Sequence, residues 1–277
     1  MSHPPSFRLA HLRLRNGIDL EYAEQGPRGG PAVLMLHGIT DNWRSFEPVL
    51  PLLPAHWHVV ALSQRGHGGS DKSPRQYRTE DFAADAAAFA RALDLAPMIV
   101  VGHSMGAANA LRLALDAPEL VQGLVLAGAF ARFGDKDALR AFCRDEIAPL
   151  VDPVPPALAR AFQLDTIAGP VAPGLIDAMV DESLRAPAHV WRAGFAALFD
   201  DHFSSELQRV QAPTLIAWGD ADAFVPREDT ETLLSSIARS RVSVYAGVGH
   251  ALHWEQPARF ARELVAFVAR LRETAEA

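Results

Sequence analysis

The chain has 277 residues, 49% of them hydrophobic, a formal net charge of −7 and one cysteine, Cys143. That length and apolar fraction suit a large buried core in one α/β domain carrying an insertion. The acidic balance and the lack of any Lys/Arg block exclude a phosphate-backbone partner, and a single cysteine excludes an intramolecular disulfide.

Met1 to Arg15 mixes Arg8, Arg13 and Arg15 with isolated apolar residues and lacks the roughly 7–15-residue apolar stretch of a secretory signal. No later run reaches membrane-spanning length. The expectation is a soluble, cytoplasmic monomer or homodimer with no nucleic-acid or membrane partner. Phe7 to Leu14 and Ile18 to Ala23, joined across Asn16 and Gly17, read as an opening antiparallel hairpin. Short apolar runs follow at Ala32 to Leu36, Val59 to Leu62, Met98 to Val101, Leu124 to Ala127, Thr214 to Ala217 and Val242 to Tyr245. Runs of this kind suit strands covered on both faces.

Between them lie helical patterns, with Phe82, Phe89 and Leu93 on one face and Phe260, Leu264, Phe267 and Leu271 on another, all read as core. Strands alternating with helices imply a mainly parallel, eight-stranded α/β sheet wrapped on both faces, with functional groups at the strands' carboxyl ends. From Ala131 to about Glu206 the alternation stops. Helical periodicity there is broken by Pro149, Pro153, Pro155, Pro156, Pro170, Pro173 and Pro187, and the stretch holds 7 Lys/Arg against 12 Asp/Glu. It reads as an inserted helical cap at 131–206 on a core made of 1–130 and 207–277.

The run Met98 to Val101 leads into Gly102, His103, Ser104, Met105 and Gly106, followed by the small-residue helix start at Ala107. A serine on a sharp strand-to-helix turn projects its hydroxyl, and flanking glycines allow close approach. The Met105 N–H, at the positive end of the following helix, faces any oxyanion that forms beside Ser104. A serine hydroxyl needs a base, and the base needs an acid to fix its tautomer. Asp222 follows the strand at Thr214 and His250 follows the strand at Val242, giving the order serine, acid, histidine. Cys143, in a helical stretch with Arg144, Asp145 and Glu146, is a packing residue. His56 and His58 flank Trp57 without a carboxylate or cysteine cluster to complete a metal shell. No glycine-rich nucleotide fingerprint occurs, so neither metal nor cofactor is expected.

Taken together these motifs resemble the α/β-hydrolase fold serine hydrolases, from Leu9 to Leu271. His37-Gly38-Ile39 is similar to that family's oxyanion loop, Gly66-x-Gly68 with Ser70 to the glycine-rich loop after the fourth strand, and Gly219-x-x-Asp222 and Gly249-His250 to the acid and base loops. The resemblance implies that the Ile39 N–H pairs with that of Met105 in the oxyanion hole and that His37 is structural. It also favours Asp222 over Asp220 as the acid. Ser63 stands where many relatives carry an aspartate, which puts in question the local salt link of Arg65.

Asp41 reads as a turn or N-cap residue beside the oxyanion loop. The expected pocket residues are His103, Phe130, Phe133, Trp191, Phe195, Phe199 and His253. Helical spacing extends through Phe203, with Phe142 and Phe162 nearby, and His103 and His253 also have plain packing readings. The resulting expectation is hydrolysis of a neutral, moderately apolar small-molecule ester or lactone, with Arg132 or Arg192 able to change the charge preference locally. Other readings are carbon–carbon bond hydrolysis, suggested by Trp254-Glu255 but not by His103, amide or amino-terminal peptide hydrolysis, and a non-catalytic ligand receptor on the same fold. Serine at 104 disfavours aspartate-nucleophile dehalogenases and epoxide hydrolases.

Overall fold

Apolar runs a few residues long become central strands when helices cover both faces, and the alternation of side chains then feeds two separate cores. The computed structural model describes residues 7–200 and 205–276. Phe203 and the first six residues of the N-terminal stretch lie outside the described residues. The strands are β1 (Arg8–Arg13), β2 (Asp19–Gln25), β3 (Ala32–Leu36), β4 (His58–Leu62), β5 (Met98–His103), β6 (Val121–Ala127), β7 (Thr214–Gly219) and β8 (Ser240–Tyr245). They form one eight-stranded sheet in the order β1-β2-β4-β3-β5-β6-β7-β8. Strand β2 runs antiparallel to β1 and β4, and every other pairing is parallel.

The sheet is thus the mostly parallel one expected, with longer strand ends. Ser240 and Arg241 pair with Thr214 and Leu215 although neither is apolar, because ladder hydrogen bonds belong to the backbone. The Asn16-Gly17 turn closes the hairpin with Gly17 at φ +88° and the Asn16 side chain accepting the Ile18 N–H at 3.1 Å.

Along β3, Leu34 and Leu36 face one side and Val33 and Met35 the other. The first side is covered by α1 (Thr79–Ala92) and α2 (Met105–Asp116), which bring Phe89, Leu93 and Leu111. The second is covered by α9 (Pro257–Glu276), which brings Phe260, Leu264 and Phe267. Each such side chain contributes about 1.5–3 kcal/mol by leaving water. Phe82 departs from the expected shared face. It lies in the first turn of α1 and packs with Tyr77, Ile39 and Met105 above the sheet edge instead of with Phe89.

Between β6 and β7 the chain forms α3 (Asp137–Phe142), a π-helical turn at Cys143–Ile147, α4 (Pro156–Asp165), α5 (Leu175–Leu184) and α6 (Ala188–Asp200). Pro156 occupies the first turn of α4, where its missing N–H costs nothing. The apolar faces of these helices share one cluster with Ile39 and Met105, so the segment lies over the carboxyl edge of the sheet. Cys143 is half-buried, and burial pushes its thiol up to about 12, which removes the thiolate at neutral pH. After β7 come α7 (Arg227–Ser236) and α8 (Leu252–Glu255). Among the described residues no helix is long and apolar enough to cross a membrane.

Candidate active site

Ser104 sits between the last residue of β5 and the first of α2 with φ 53° and ψ −118°, a backbone conformation that costs an L-residue about 1–3 kcal/mol. The surroundings impose it. The Ser104 N–H donates to the Ala127 carbonyl at 2.9 Å, and the Ser104 carbonyl accepts from Ala107 N–H at 2.8 Å. A Cβ at Gly106 would lie 2.0 Å from the Leu36 carbonyl oxygen, and one at Gly102 would lie 2.3 Å from the Gly106 oxygen, so only glycine permits this strand-to-helix bend.

Strands β7 and β8 are neighbours, and the loops leaving their carboxyl ends meet. Asp222 Oδ1 accepts the N–H groups of Phe224 at 2.8 Å and Val225 at 3.0 Å, which orients the carboxylate. Its Oδ2 accepts Nδ1–H of His250 at 2.8 Å, with both side chains almost fully buried. Nδ1 is committed to that bond, so Nε2 is the ring nitrogen free to act as a base. Asp220 is exposed and accepts the Gly247 N–H, bracing the two loops without touching His250.

Buried His37 sets the loop after β3. Its Nδ1–H donates to the Gly38 carbonyl at 2.7 Å and its Nε2 accepts the Gln64 N–H at 2.9 Å. Burial, and then the neighbouring His67, hold it well below the usual imidazole range. It is a neutral structural ring. Thr40 follows with φ 68°, so the chain turns sharply beside buried Ile39.

Ser104, His250, His103, Ile39, Phe130, Phe133 and Phe195 line one small cavity of about 30 Å³. A larger groove of about 850 Å³ lies on the outer side of the helices, but it is lined by none of Ser104, Asp222 and His250, so the small cavity is the candidate site. Three expected pocket residues fall elsewhere. Trp191 is wholly buried, its indole N–H donating to the Ser183 carbonyl at 3.3 Å, because its face of α6 is turned inward between helices. Phe199 lines the outer groove with Arg132, Arg140 and Arg192. His253 is buried behind His103, its ring centroid 4.4 Å away, with Nε2–H donating to Ser45 Oγ at 3.0 Å. Met105 N–H opens α2 directly after Ser104.

Other residues of the site escaped sequence reasoning. Asp41 is not a cap. The Asn42 side chain performs that role by accepting the Arg44 N–H at 2.9 Å, while Asp41 turns into the cavity wall. Its carboxyl accepts from Ser45 Oγ at 3.0 Å and from Gln163 Nε2 at 3.0 Å, and burial pushes it up to about 7. Gln163 and Phe224 also line the cavity, together with Phe162, which the sequence reading names among the segment's rings. Glu255 ties the layers together by accepting the N–H groups of Gly249 at 2.8 Å and Gly169 at 2.6 Å. Arg65 keeps a salt link despite Ser63, through paired contacts of 2.6 and 2.7 Å to Asp85 of α1, and Ser63 Oγ instead donates to Glu21. His58, beside Trp57, is held by Glu24 at 2.8 Å.

This geometry agrees with what the chain is similar to. Residues 31–257 match the alpha/beta hydrolase fold family. A non-heme chloroperoxidase of Streptomyces lividans is 30% identical over 91% of this chain and 97% of its own length. A 2-hydroxy-6-oxononadienedioate/2-hydroxy-6-oxononatrienedioate hydrolase of Paraburkholderia xenovorans is 28% identical over 93% and 94%. Among solved structures, an esterase from Exiguobacterium antarcticum superposes with a TM-score of 0.84 at 25% identity, covering 94% of this chain and 99% of its own. The matched span holds Ser104, Asp222 and His250 together, and the chain belongs to the alpha/beta hydrolase fold family.

Proposed function

We propose that the protein is a serine hydrolase that cleaves a neutral, moderately apolar carboxylic ester or lactone. The observation that carries this reading is the opening of strained Ser104 and Asp222-held His250 on one aromatic cavity. His250 Nε2 takes the Ser104 proton as Oγ attacks the carbonyl carbon, and the N–H groups of Ile39 and Met105 hold the oxyanion. The imidazolium, stabilised by Asp222, then protonates the leaving alcohol. Water repeats the sequence on the acyl-enzyme and releases the acid. Residues 131–206 serve as the cap. Gln163 reaches Asp41, Glu255 reaches Gly169, and the Ala251 N–H donates to the Thr166 carbonyl at 2.8 Å, which fixes the segment over the site.

Likeness to the Paraburkholderia hydrolase favours carbon–carbon cleavage as the second reading. A dioate, however, calls for cationic partners, and neither Lys nor Arg lines this cavity. The test is the initial rate on a chain-length series of neutral chromogenic acyl esters, native chain against Ser104→Ala. A loss of at least about 10³-fold in kcat/KM is expected. Equal rates overturn the reading, and no turnover by either chain moves weight to carbon–carbon or amide substrates or to a binding role.

A further inference from the structure

The cavity is aromatic on one side and rich in hydrogen-bond acceptors on the other. Asp41 and Gln163 form the polar side, and they come from different parts of the chain, the loop after β3 and helix α4. Gln163 is 1% exposed and spends its amide N–H groups on Asp41 Oδ1 at 3.0 Å and Ser183 Oγ at 2.9 Å. Its Oε1 has no partner among the described residues. His103 repeats the pattern: Nε2–H donates to the His250 carbonyl at 3.2 Å, and Nδ1 has no partner. Gly38 packs tightly against both side chains, since a Cβ there would lie 3.0 Å from His103 Nδ1 and 3.4 Å from Asp41 Oδ2. Two acceptors from separate elements therefore lie against one glycine of the cavity lining.

Donors are spent. The Thr166 hydroxyl donates to the Gln163 carbonyl at 2.7 Å, Gln163 and His103 have used theirs, and no Lys or Arg lines the cavity. A buried acceptor without a donor is costly, so a site that keeps two of them, Gln163 Oε1 and His103 Nδ1, beside its nucleophile is matched to a ligand that brings the donor. We propose that Asp41, Gln163 and His103 Nδ1 form a specificity site for a hydrogen-bond donor, a hydroxyl or an ammonium, carried by the substrate near its scissile carbonyl. The proposal rests on this cavity being where the substrate binds, as in the hydrolase reading. Because Asp41 and Gln163 lie on the core and on the helical segment, the same donor also reports that the two are in register. The phenylalanines of the lining suit the carbon frame that carries either donor.

Calorimetric titration of the full chain carrying Ser104→Ala tests the site without turnover. Benzyl 3-methylbutanoate, benzyl 3-hydroxybutanoate and benzyl 3-aminobutanoate place a methyl, a hydroxyl and an ammonium at one position of otherwise matched esters. At least one donor-bearing ester is expected to bind about tenfold tighter than the methyl ester, and adding Asp41→Asn is expected to cut that ratio to about threefold or less. Preference for the ammonium alone identifies a cation site, and equal preference for both identifies a neutral-donor site. Gln163→Met, which keeps the volume and removes the amide, supplies a second variant should Asp41→Asn fail to fold. Equal binding of all three esters, binding of none, or a ratio that survives both substitutions overturns the proposal. Loss of ester turnover in the native chain with the binding ratio intact overturns the hydrolase reading and leaves this site standing.

Discussion

The sheet edge and the helical segment above it contribute to one cavity by different physical means. At the sheet edge each functional residue follows a strand by a few positions, and a strand held by hydrogen-bonded neighbours fixes where its successor begins. Ser104 follows β5, Asp222 follows β7 and His250 follows β8, and tolerances are set by backbone atoms such as the Leu36 carbonyl against Gly106. Above the edge, side chains are placed by how helices rotate against one another, so neighbours in sequence serve unrelated surfaces. On the proposed hydrolase reading, the chemistry is built on rigid backbone while selectivity is built on packing, and substitutions in the two regions should fail differently.

The sharpest break is Asp222→Asn. It keeps the loop and its size but offers an amide where His250 Nδ1–H needs a charged acceptor, so the ring loses the tautomer and orientation that free Nε2. Ester kcat should fall on the order of 10³–10⁴-fold with an unchanged circular dichroism spectrum. The matching break above the edge is in stability. Trp191→Ala should cost about 3–5 kcal/mol by chemical denaturation with little change in KM, because the indole is core and not wall. Phe162→Ala, at the cavity, should raise KM for aryl esters several-fold while costing less stability than Trp191→Ala. Exchange of those two outcomes would reverse the assignment of walls and core.

These two residues also show how far the sequence could be read. Ser104, Asp222, His250 and the eight strands were legible because a short apolar run and the turn residues after it locate a strand end within a residue or two. Trp191, Phe195 and Phe199 were equally visible as a helical series, but a step of four residues overshoots one turn by about 40°, so the series drifts by about 80° around the helix. That drift sends the first ring between helices, the second to the wall shared by the cavity and the outer groove, and the third to the outer groove alone. Asp41 was misread for another reason. An Asp-Asn pair after a tight loop satisfies the turn with either side chain, and the partner that decides between them, Gln163, lies 122 positions away.

Buried titratable groups around the site make stability pH-dependent with two opposed signs. His67 is lowered to about 4 and His253 to about 3 by burial, and His37 and His103 are held well below their ordinary value for the same reason. The unfolded chain then binds more protons at acid pH, so their stabilisation is full above about 6.5 and is lost as pH falls through the folded values. Asp41 runs the other way. Its folded value, raised to about 7, lies above that of the unfolded carboxyl, so it withdraws stability as pH rises from about 4 to 7, by at most about 4 kcal/mol. Calorimetric Tm should fall from pH 6.5 to 4 in the native chain. Asp41→Asn should gain on it steadily over the same range as pH rises, and a constant difference between the two chains would place Asp41 in a solvated, ordinary setting.

The smallest effect sets the scale for the largest. Asp220 lies two residues from Asp222, in the same loop and with the same chemistry, yet it is exposed and its carboxylate meets only the Gly247 N–H among the described hydrogen bonds. Asp220→Asn keeps an amide oxygen to accept that N–H, so kcat/KM should stay within about threefold of native and stability within about 1 kcal/mol. Measured beside Asp222→Asn on the same ester, it holds loop geometry nearly constant and varies only which carboxylate remains. A loss in Asp220→Asn comparable to that in Asp222→Asn would mean that the pairing with His250 is not what activates the base, and the contrast between a rigid catalytic edge and an adaptable wall would lose its foundation.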